Sequence, residues 1–184
     1  MTDTFAWTTF NDDRAKPLLD ALYQEYSTRY DHDFPDTANQ EMSGSAPEMF
    51  LPPDGAFLLL LRDGVAIGGG AFMRFDETTA EIKRIWTRSD LRRQGLAGKI
   101  LGELEACARE RGYSRLFLTT GFRQPEATAL YLRHGYKPLF DPKEDPAWYG
   151  LLPFVKALGP IEGDLEKSLR WAKRLEQRLP SPQA

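Results

Sequence analysis

Two apolar segments joined by Asp63 and Gly64 predict a β-hairpin within "GAFLLLLRDGVAIGGGAFMRF". An Asp-Gly pair between apolar runs is a strong signal for a two-residue turn between antiparallel strands. The longest apolar run, residues 56–61, has the length of a strand and is too short to span a bilayer. We therefore predict antiparallel strands over residues 56–61 and 65–74.

Strand-like and helix-like segments alternate along the rest of the chain, which predicts a mixed α/β domain. The predicted strands cover residues 5–10, 79–87, 114–120, 136–140 and 148–158, and the predicted helices cover residues 15–30, 97–111 and 124–135. In the strand over residues 79–87, strict alternation places Glu81 on the face opposite Arg84 and Trp86, unless a bulge intervenes. The polar segment 31–50 holds at most a short helix, and its length indicates a functional or mobile loop.

The composition restricts the partners of the chain, which has 184 residues, a formal net charge of -3, one cysteine and two histidines. Cys107 alone cannot form an internal disulfide, and one cysteine with two histidines is too few for a convincing metal site. The acidic charge argues against a nucleic-acid partner, because phosphate binding normally needs a basic domain or stripe. The first residues lack a basic segment followed by an apolar run, so we expect no secretory signal and a cytoplasmic protein without membrane partners.

The chain is most simply one domain, residues 1–158, followed by a C-terminal extension, residues 159–184. Apolar residues recur at helical spacing in the extension and predict an amphipathic helix over residues 164–179. Such a stripe either packs on the domain or pairs with a second copy in a homodimer. The sequence leaves both arrangements open.

Two arginines, two glycines and a small alanine precede the predicted helix over residues 97–111, in "LRRQGLAGKIL". A glycine-bearing turn before a helix can present several backbone N–H groups to one anion, and the helix dipole adds a partial positive charge. The spacing excludes two phosphate motifs. The triphosphate loop needs a hydroxyl residue where Ile100 stands, and the dinucleotide fingerprint fails at Leu96 and Ala97. Taken alone, this stretch is better interpreted as a solvated basic turn. Whether it binds an anion must be inferred from the sequence around it.

That surrounding sequence resembles the core of the GNAT superfamily, the Gcn5-related acyl-CoA N-acyltransferases. The family pattern [Q/R]-x-x-G-x-[G/A] opens a helix and matches Arg92-x-x-Gly95-x-Ala97. A pattern on a later helix matches Ala127-x-x-Leu130-Tyr131-x-x-x-Gly135-Tyr136. The resemblance covers residues 79–139 closely and implies a GNAT fold, with a central mixed, mostly antiparallel sheet flanked by helices. It also implies an N-acetyltransferase that uses acetyl-CoA as co-substrate and needs no metal.

The resemblance also implies which residues bind CoA. Backbone amides of the glycine-bearing loop would hold the pyrophosphate of acetyl-CoA, through Arg92, Arg93, Gln94, Gly95, Leu96, Ala97, Gly98 and Lys99. In the family the preceding strand separates from its neighbour at a bulge and pairs with the pantetheine arm through its backbone, which here points to Ile85, Trp86 and Thr87. Many relatives carry an asparagine seven residues before the helix tyrosine, where this chain has Gln124, whose amide suits a CoA contact.

Two residues are the candidates for catalysis. Tyr131 aligns with the family's frequent general acid, which protonates the departing CoA thiolate. A phenol with a pKa of about 10 suits a thiolate whose conjugate acid has a pKa of about 8.5, because the proton is needed only as charge develops on sulfur. Glu81 lies where some GNAT enzymes place a general base, which takes a proton from the amine directly or through water. An ion pair with Lys83, Arg84 or a cross-strand cation explains Glu81 equally well.

The acceptor is less well defined than the donor, because the segments that form its side vary within the family. Acidic groups among aromatic ones would suit a small primary amine, by charge attraction and cation–π contact, while solvated loop charges are the other interpretation. The residues concerned are Tyr23, Glu25, Tyr26, Tyr30, Asp31, Asp33, Asp36, Glu41, Glu48, Asp141, Glu144, Asp145, Trp148 and Tyr149. Two alternatives stay open: acetylation of a protein lysine or N-terminus, and a CoA-binding sensor or interaction module without turnover.

Packing explains two remaining features best. The glycines of "VAIGGGAF" lie inside a strand pattern, where close strand packing or a bulge is a better explanation than anion binding. Cys107 lies beside an apolar helix stripe and away from any histidine in the sequence, so we expect a packing residue rather than a nucleophile.

Overall fold

Four antiparallel strands organise the first of two units into which the chain divides after Tyr113. The computed structural model describes residues 2–34 and 36–159. The strands of the first unit are β1 (Asp3–Thr8), β2 (Ala56–Arg62), β3 (Val65–Arg74) and β4 (Thr79–Thr87), paired in that order. Its helices are α1 (Lys16–Tyr30), α2 (Thr37–Ser43) and α3 (Leu96–Glu110), with single 3₁₀ turns at Asp13–Ala15, Pro47–Phe50 and Ser89–Leu91.

The predicted hairpin is confirmed as β2 and β3. Arg62 pairs with Val65 across the turn, and Asp63 and Gly64 have φ angles of 50° and 82°. Two consecutive positive φ angles are what a tight turn between right-twisted strands requires, and Asp-Gly supplies them at low cost. The local sequence therefore fixes the register of the two central strands of this unit.

The glycines of β3 allow close packing on both faces of the strand, as predicted. A Cβ on Gly69 would lie 2.5 Å from Leu18 Cδ1 of α1 and 2.7 Å from the Leu58 carbonyl oxygen. A Cβ on Gly70 would lie 2.6 Å from Ile85 Cδ1. A side chain at Gly69 or Gly70 would push α1 or β4 away, so only glycine fits at these two positions.

A β-bulge, the exception that the sequence prediction allowed for, interrupts the alternation of side chains in β4. Gly69 pairs with Trp86 and Ala71 pairs with Lys83, so Arg84 and Ile85 both lie opposite Gly70. The extra residue reverses the faces after Lys83. Arg84 and Trp86 therefore lie on the face of Glu81, not opposite to it, and Trp86 packs in the cluster that contains Leu18 and Met73.

The second unit contains β5 (Arg115–Gly121), α4 (Pro125–Arg133), β6 (Lys137–Pro138) and β7 (Leu151–Ala157), with β7 antiparallel to both β5 and β6. The strand predicted over residues 136–140 is only two residues long. The strand predicted over residues 148–158 begins at Leu151, because Asp145 accepts a hydrogen bond from the Ala147 N–H and starts a 3₁₀ turn at Pro146–Trp148. Both errors lie at element ends, where propensity is least informative.

The predicted C-terminal helix, residues 164–179, lies outside the described residues, and so does most of the extension 159–184. Within residues 2–34 and 36–159, no helix combines the length and the apolar character needed to cross a membrane.

Candidate functional site

The loop between β4 and α3 is shaped to expose backbone N–H groups. Arg93 and Gly95 have positive φ angles of 64° and 75°, and α3 begins directly afterwards at Leu96. No side chain caps this helix start. The first N–H groups of a helix have no partner within the helix, so they are available to an anion, which the helix dipole also favours.

A rigid helix supports this loop. Ile100, Leu101 and Leu104 of α3 are fully buried, while Arg92, Arg93 and Gln94 are exposed. The helix is therefore anchored in the core by one face, and its N-terminal end carries a loop that is open to solvent. Of the predicted pyrophosphate-binding residues, Leu96 is buried and serves the core with its side chain, which leaves its backbone for binding.

An ion-pair network connects this loop to α1. Arg92 Nη2 lies 2.8 Å from Glu25 Oε2, and Arg29 Nη2 lies 2.8 Å from Glu25 Oε1. The sequence placed Glu25 among the groups that could attract an amine, but in the structure its carboxylate holds two guanidinium groups. No local pattern indicates this contact, because Glu25 and Arg92 are 67 residues apart.

The segment proposed to meet pantetheine follows the bulge directly. Trp86 is 6% exposed and packs beside Leu18, while Thr87 pairs with Gly68 of β3. The Trp86 side chain therefore belongs to the core. Binding of pantetheine by the backbone of this segment, which the resemblance implies, stays a prediction.

Glu81 and Lys83 form an ion pair on one face of β4. Lys83 Nζ lies 3.1 Å from Glu81 Oε1, and Glu81 is 9% exposed. This is one of the two interpretations that the sequence left open. The role of Glu81 as a general base stays a prediction.

Arg84 is a buried residue that the sequence analysis did not select as functional. Its guanidinium carbon lies 5.0 Å from the Phe10 ring centroid and 5.2 Å from that of Phe50. Its Nη1 and Nη2 donate to Met42 Sδ and the Met42 carbonyl oxygen, at 3.2 Å and 3.0 Å. Burial lowers the pKa of Arg84 from its ordinary value. In the sequence Arg84 follows Lys83 in a strand with several polar residues, so the pattern gave no signal that this side chain is buried.

Tyr131 of α4 is buried among aromatic rings in the second unit. Its ring centroid lies 5.6 Å from that of Tyr136 and 5.7 Å from that of Phe154. Burial raises the pKa of Tyr131 well above its ordinary value, because the charged phenolate is poorly solvated there. The phenol therefore keeps its proton throughout the neutral pH range.

Gln124, at the start of α4, is engaged by its own loop. Its Oε1 accepts hydrogen bonds from Thr120 Oγ1 at 2.8 Å and from the Gly121 N–H at 3.2 Å. These contacts fix the side chain and occupy its carbonyl oxygen. The predicted CoA contact is therefore left to the NH₂ end of the amide.

Several predicted acceptor-side acids stabilise local turns. Asp31 accepts a hydrogen bond from the Ala38 N–H at 3.1 Å, and Asp141 from the Lys143 N–H at 2.9 Å. Asp36 accepts from Asn39 Nδ2 at 2.6 Å. These contacts favour a structural role for these carboxylates over attraction of a cationic amine.

Cys107 lacks the properties of a nucleophile. It is half-buried, and burial raises the pKa of its thiol, which reduces the reactive thiolate. Within the described part of the chain, no group of three or more His, Cys, Asp or Glu residues is arranged to hold a metal ion.

Comparison with known proteins identifies the family. The family model "Acetyltransferase (GNAT) family" matches residues 19–136. A Klebsiella pneumoniae protein assigned as an acyl-CoA N-acyltransferase is 29% identical, with a TM-score of 0.63, over 86% of this chain and 99% of that one. A GNAT family acetyltransferase from Elizabethkingia anophelis, solved with acetyl-CoA bound, shares the fold at 16% identity and a TM-score of 0.57, over 84% of this chain and 97% of that one.

A shorter similarity connects part of the chain to a much larger enzyme. The tRNA(Met) cytidine acetyltransferase TmcA of Aeropyrum pernix is 37% identical over 59 residues, which are 32% of this chain and 8% of that protein. The match thus spans a small part of that relative's length. Because the family model covers well over half of the chain, including both motifs, this protein belongs to the GNAT acetyltransferase family and has the acyl-CoA N-acyltransferase fold.

Proposed function

We propose that this protein transfers the acetyl group of acetyl-CoA to the primary amine of a small molecule, directly and in a ternary complex. The observation that carries the proposal is the uncapped start of α3 behind the left-handed Gly95, which leaves backbone N–H groups for an anion. Family membership makes the pyrophosphate of a CoA the best candidate for that anion. The Elizabethkingia relative with acetyl-CoA bound supports this choice.

In this proposal the loop from Arg92 to Lys99 binds pyrophosphate chiefly through its backbone. Arg93 and Lys99 are exposed and add positive charge, whereas the charge of Arg92 is partly offset by Glu25. The loop needs no metal, because amide donors and cations neutralise the phosphates. The backbone of Ile85, Trp86 and Thr87 binds the pantetheine arm.

Tyr131 is proposed as the general acid. Acetyl-CoA supplies a thioester, and transfer breaks its C–S bond as an N–C bond forms, so one proton leaves the amine nitrogen and one must reach sulfur. Tyr131 is proposed for the second transfer because its phenol is protonated at neutral pH. Burial raises the pKa of Tyr131 and so makes it a weaker acid, which means that its proton moves only as negative charge develops on sulfur. The buried ring has two aromatic neighbours, which restrict its orientation.

Glu81 is proposed as the group that accepts the proton from the amine, directly or through water. An amine with a pKa of about 10 is mostly protonated at neutral pH and must lose a proton before it attacks. The ammonium nitrogen of Lys83 lies 3.1 Å from the Glu81 carboxylate, and this ion pair orients the carboxylate on its face of β4.

Calorimetry with acetyl-CoA and a thiol-release screen over small amines test the proposal. We expect binding, and thiol release with at least one amine. Tyr131→Phe should lower kcat and spare acetyl-CoA affinity, since only the proton donor is lost. Tyr136→Phe is the matched control, because Tyr136 is equally buried beside the same ring and has no proposed catalytic role.

The outcomes separate the alternatives. Binding without thiol release across amines and peptides would favour a sensor module, and release with peptides alone would favour a protein substrate. If Glu81 serves only as an ion-pair partner, Glu81→Gln and Lys83→Met should reduce kcat equally. A role as base predicts a much larger loss for Glu81→Gln.

A further inference from the structure

The bulge in β4 carries a buried cation without a carboxylate partner. Arg84 is 6% exposed, and no Asp or Glu of the described residues forms an ion pair with it. Burial lowers the pKa of Arg84 more than the electrostatic effects of Tyr26 and Glu41 raise it, and Glu41 forms no ion pair with it. Buried charges in proteins are normally paired, because burial of an uncompensated charge is costly. Arg84 therefore has the electrostatic character of an anion-binding group.

The hydrogen-bonding pattern of Arg84 leaves one edge of the guanidinium unused. Nη1 and Nη2 both donate to Met42, whereas Nε is buried and has no partner among the described residues. In the same unit, Arg62 holds Asp3 through Nε and Nη2, and Arg88 holds Asp90 through the same two atoms. In Arg62 and Arg88 the edge formed by Nε and Nη2 binds a carboxylate. In Arg84 the Nε of the same edge is free.

A carboxylate is a stronger partner for this edge than the acceptor it has now. Nε shares its edge with Nη2, so a carboxylate that satisfies Nε would accept from Nη2 with its second oxygen, in place of the Met42 carbonyl oxygen. An ionised oxygen accepts more strongly from a charged donor than a neutral carbonyl does. Met42 Sδ, a weak acceptor, stays at Nη1. The rings of Phe10 and Phe50 hold the guanidinium plane, so little side-chain freedom remains to be lost on binding.

The position of Arg84 places it on the acceptor side. The bulge turns its side chain to the face of β4 that carries Glu81, and Met42 belongs to α2 in the variable segment 31–50. Its backbone is held at a φ of 60°, and such strain in a residue other than glycine is concentrated at functional sites. A straight strand would point the same side chain to the opposite face.

We propose that Arg84 binds an anionic group of the acceptor, so that the acceptor is an amine that also carries a carboxylate, as an amino acid does. The inference rests on the proposed acetyltransferase function and narrows its substrate class. Glu81 receives the proton of the amino group, and Arg84 holds the carboxylate. Simple polyamines lack the group that Arg84 recognises.

The test compares acceptors in matched pairs, each an amino acid and its carboxamide, by thiol release with the full-length protein and acetyl-CoA. Charged hydrogen bonds of this kind predict a kcat/KM about 10- to 100-fold higher for the carboxylate member. The amino group of a carboxamide is less basic and more often unprotonated, so intrinsic reactivity works against the expected result. The comparison within the wild-type protein needs no variant.

Two variants assign the preference to Arg84. Arg84→Met keeps the length and the apolar contacts and should abolish the preference, with the carboxamide rate and the acetyl-CoA affinity retained. Arg84→Lys keeps the positive charge but loses the paired Nε and Nη2 donors. It should retain part of the preference for the carboxylate acceptor. Arg111→Met is the matched control, because Arg111 also lies over a phenylalanine ring, Phe72, and donates to the backbone carbonyl of Gly55.

The outcomes distinguish failure of the proposed role of Arg84 from failure of the proposed acetyltransferase function. Equal rates for both members of every pair in the wild type would overturn the role of Arg84 while the acetyltransferase function stands. So would an Arg84→Met variant that lowers both rates equally, since that is the result of a structural role. No thiol release with any acceptor would overturn the acetyltransferase function and this inference together.

Discussion

Replacement of Gly95 by alanine tests whether its left-handed conformation shapes the loop that is proposed to bind pyrophosphate. A Cβ at Gly95 would meet no atom within 4 Å, so the φ of 75° is the only obstacle to alanine. An L-residue in this conformation costs about 1–2 kcal/mol. Gly102 is the matched control, because its Cβ also would meet nothing within 4 Å, but it lies inside α3 without a positive φ. Alanine there should stabilise the helix by about 1 kcal/mol.

The strain at Gly95→Ala must appear in one of two measurements. If the loop keeps its shape, the free energy of unfolding falls by about 1–2 kcal/mol, or Tm by about 2–8 °C for a chain of this size. If the loop relaxes, the same energy is lost on binding, and acetyl-CoA affinity falls about 5- to 30-fold. Denaturation and calorimetry on both variants separate the cases.

Asparagine tolerates this conformation better than alanine, so Gly95→Asn should recover part of the loss. Gly102→Ala should leave acetyl-CoA affinity unchanged. A Gly95→Ala variant with unaltered stability and unaltered affinity would refute the argument that backbone conformation at this residue prepares the loop.

Three further predictions concern packing and protonation. Gly69→Ala should lower the free energy of unfolding by about 1–3 kcal/mol in urea titrations, because its Cβ would lie 2.7 Å from the rigid Leu58 carbonyl oxygen; a neutral effect would contradict the packing. The raised pKa of Tyr131 gives stability that is complete below pH about 10 and is lost as pH rises through the folded-state pKa, so Tyr131→Phe should flatten the fall in stability measured between pH 9 and 11. Cys107 should react with iodoacetamide more slowly than a free thiol, and Cys107→Ala should keep full activity; loss of turnover would revive an acyl-cysteine route.

Features that depend on neighbouring residues were predictable from the sequence. The hairpin turn needs only Asp63 and Gly64, and the start of α3 needs only the glycine-bearing stretch before it. Both are set by the φ angles that a few consecutive residues adopt. The resemblance to the GNAT family could be read for the same reason, since its motifs are local.

Contacts between distant segments could not be predicted. The resemblance implied a bulge in this strand, but its position at Arg84 depends on how β4 pairs with Gly70 of β3, which no pattern within β4 indicates. The ion pair of Glu25 with Arg92 joins residues 67 positions apart, and Arg84 meets Met42 across 42 positions. Each of these contacts depends on tertiary packing, so Glu25, which the sequence placed among acids that could attract an amine, instead pairs with Arg92 in the loop before α3.

The extra residue in β4 decides which side chains share a face of the strand. Removal of Arg84 would leave Ile85 alone opposite Gly70 and Trp86 still opposite Gly69, in the cluster that it shares with Leu18. The deletion would therefore remove one side chain and keep the faces of the residues that follow. Loss of the bulge with Arg84 still present would instead turn Trp86 to the opposite face, so the pairing with β3, and not the order of residues in β4, sets the surface of this strand.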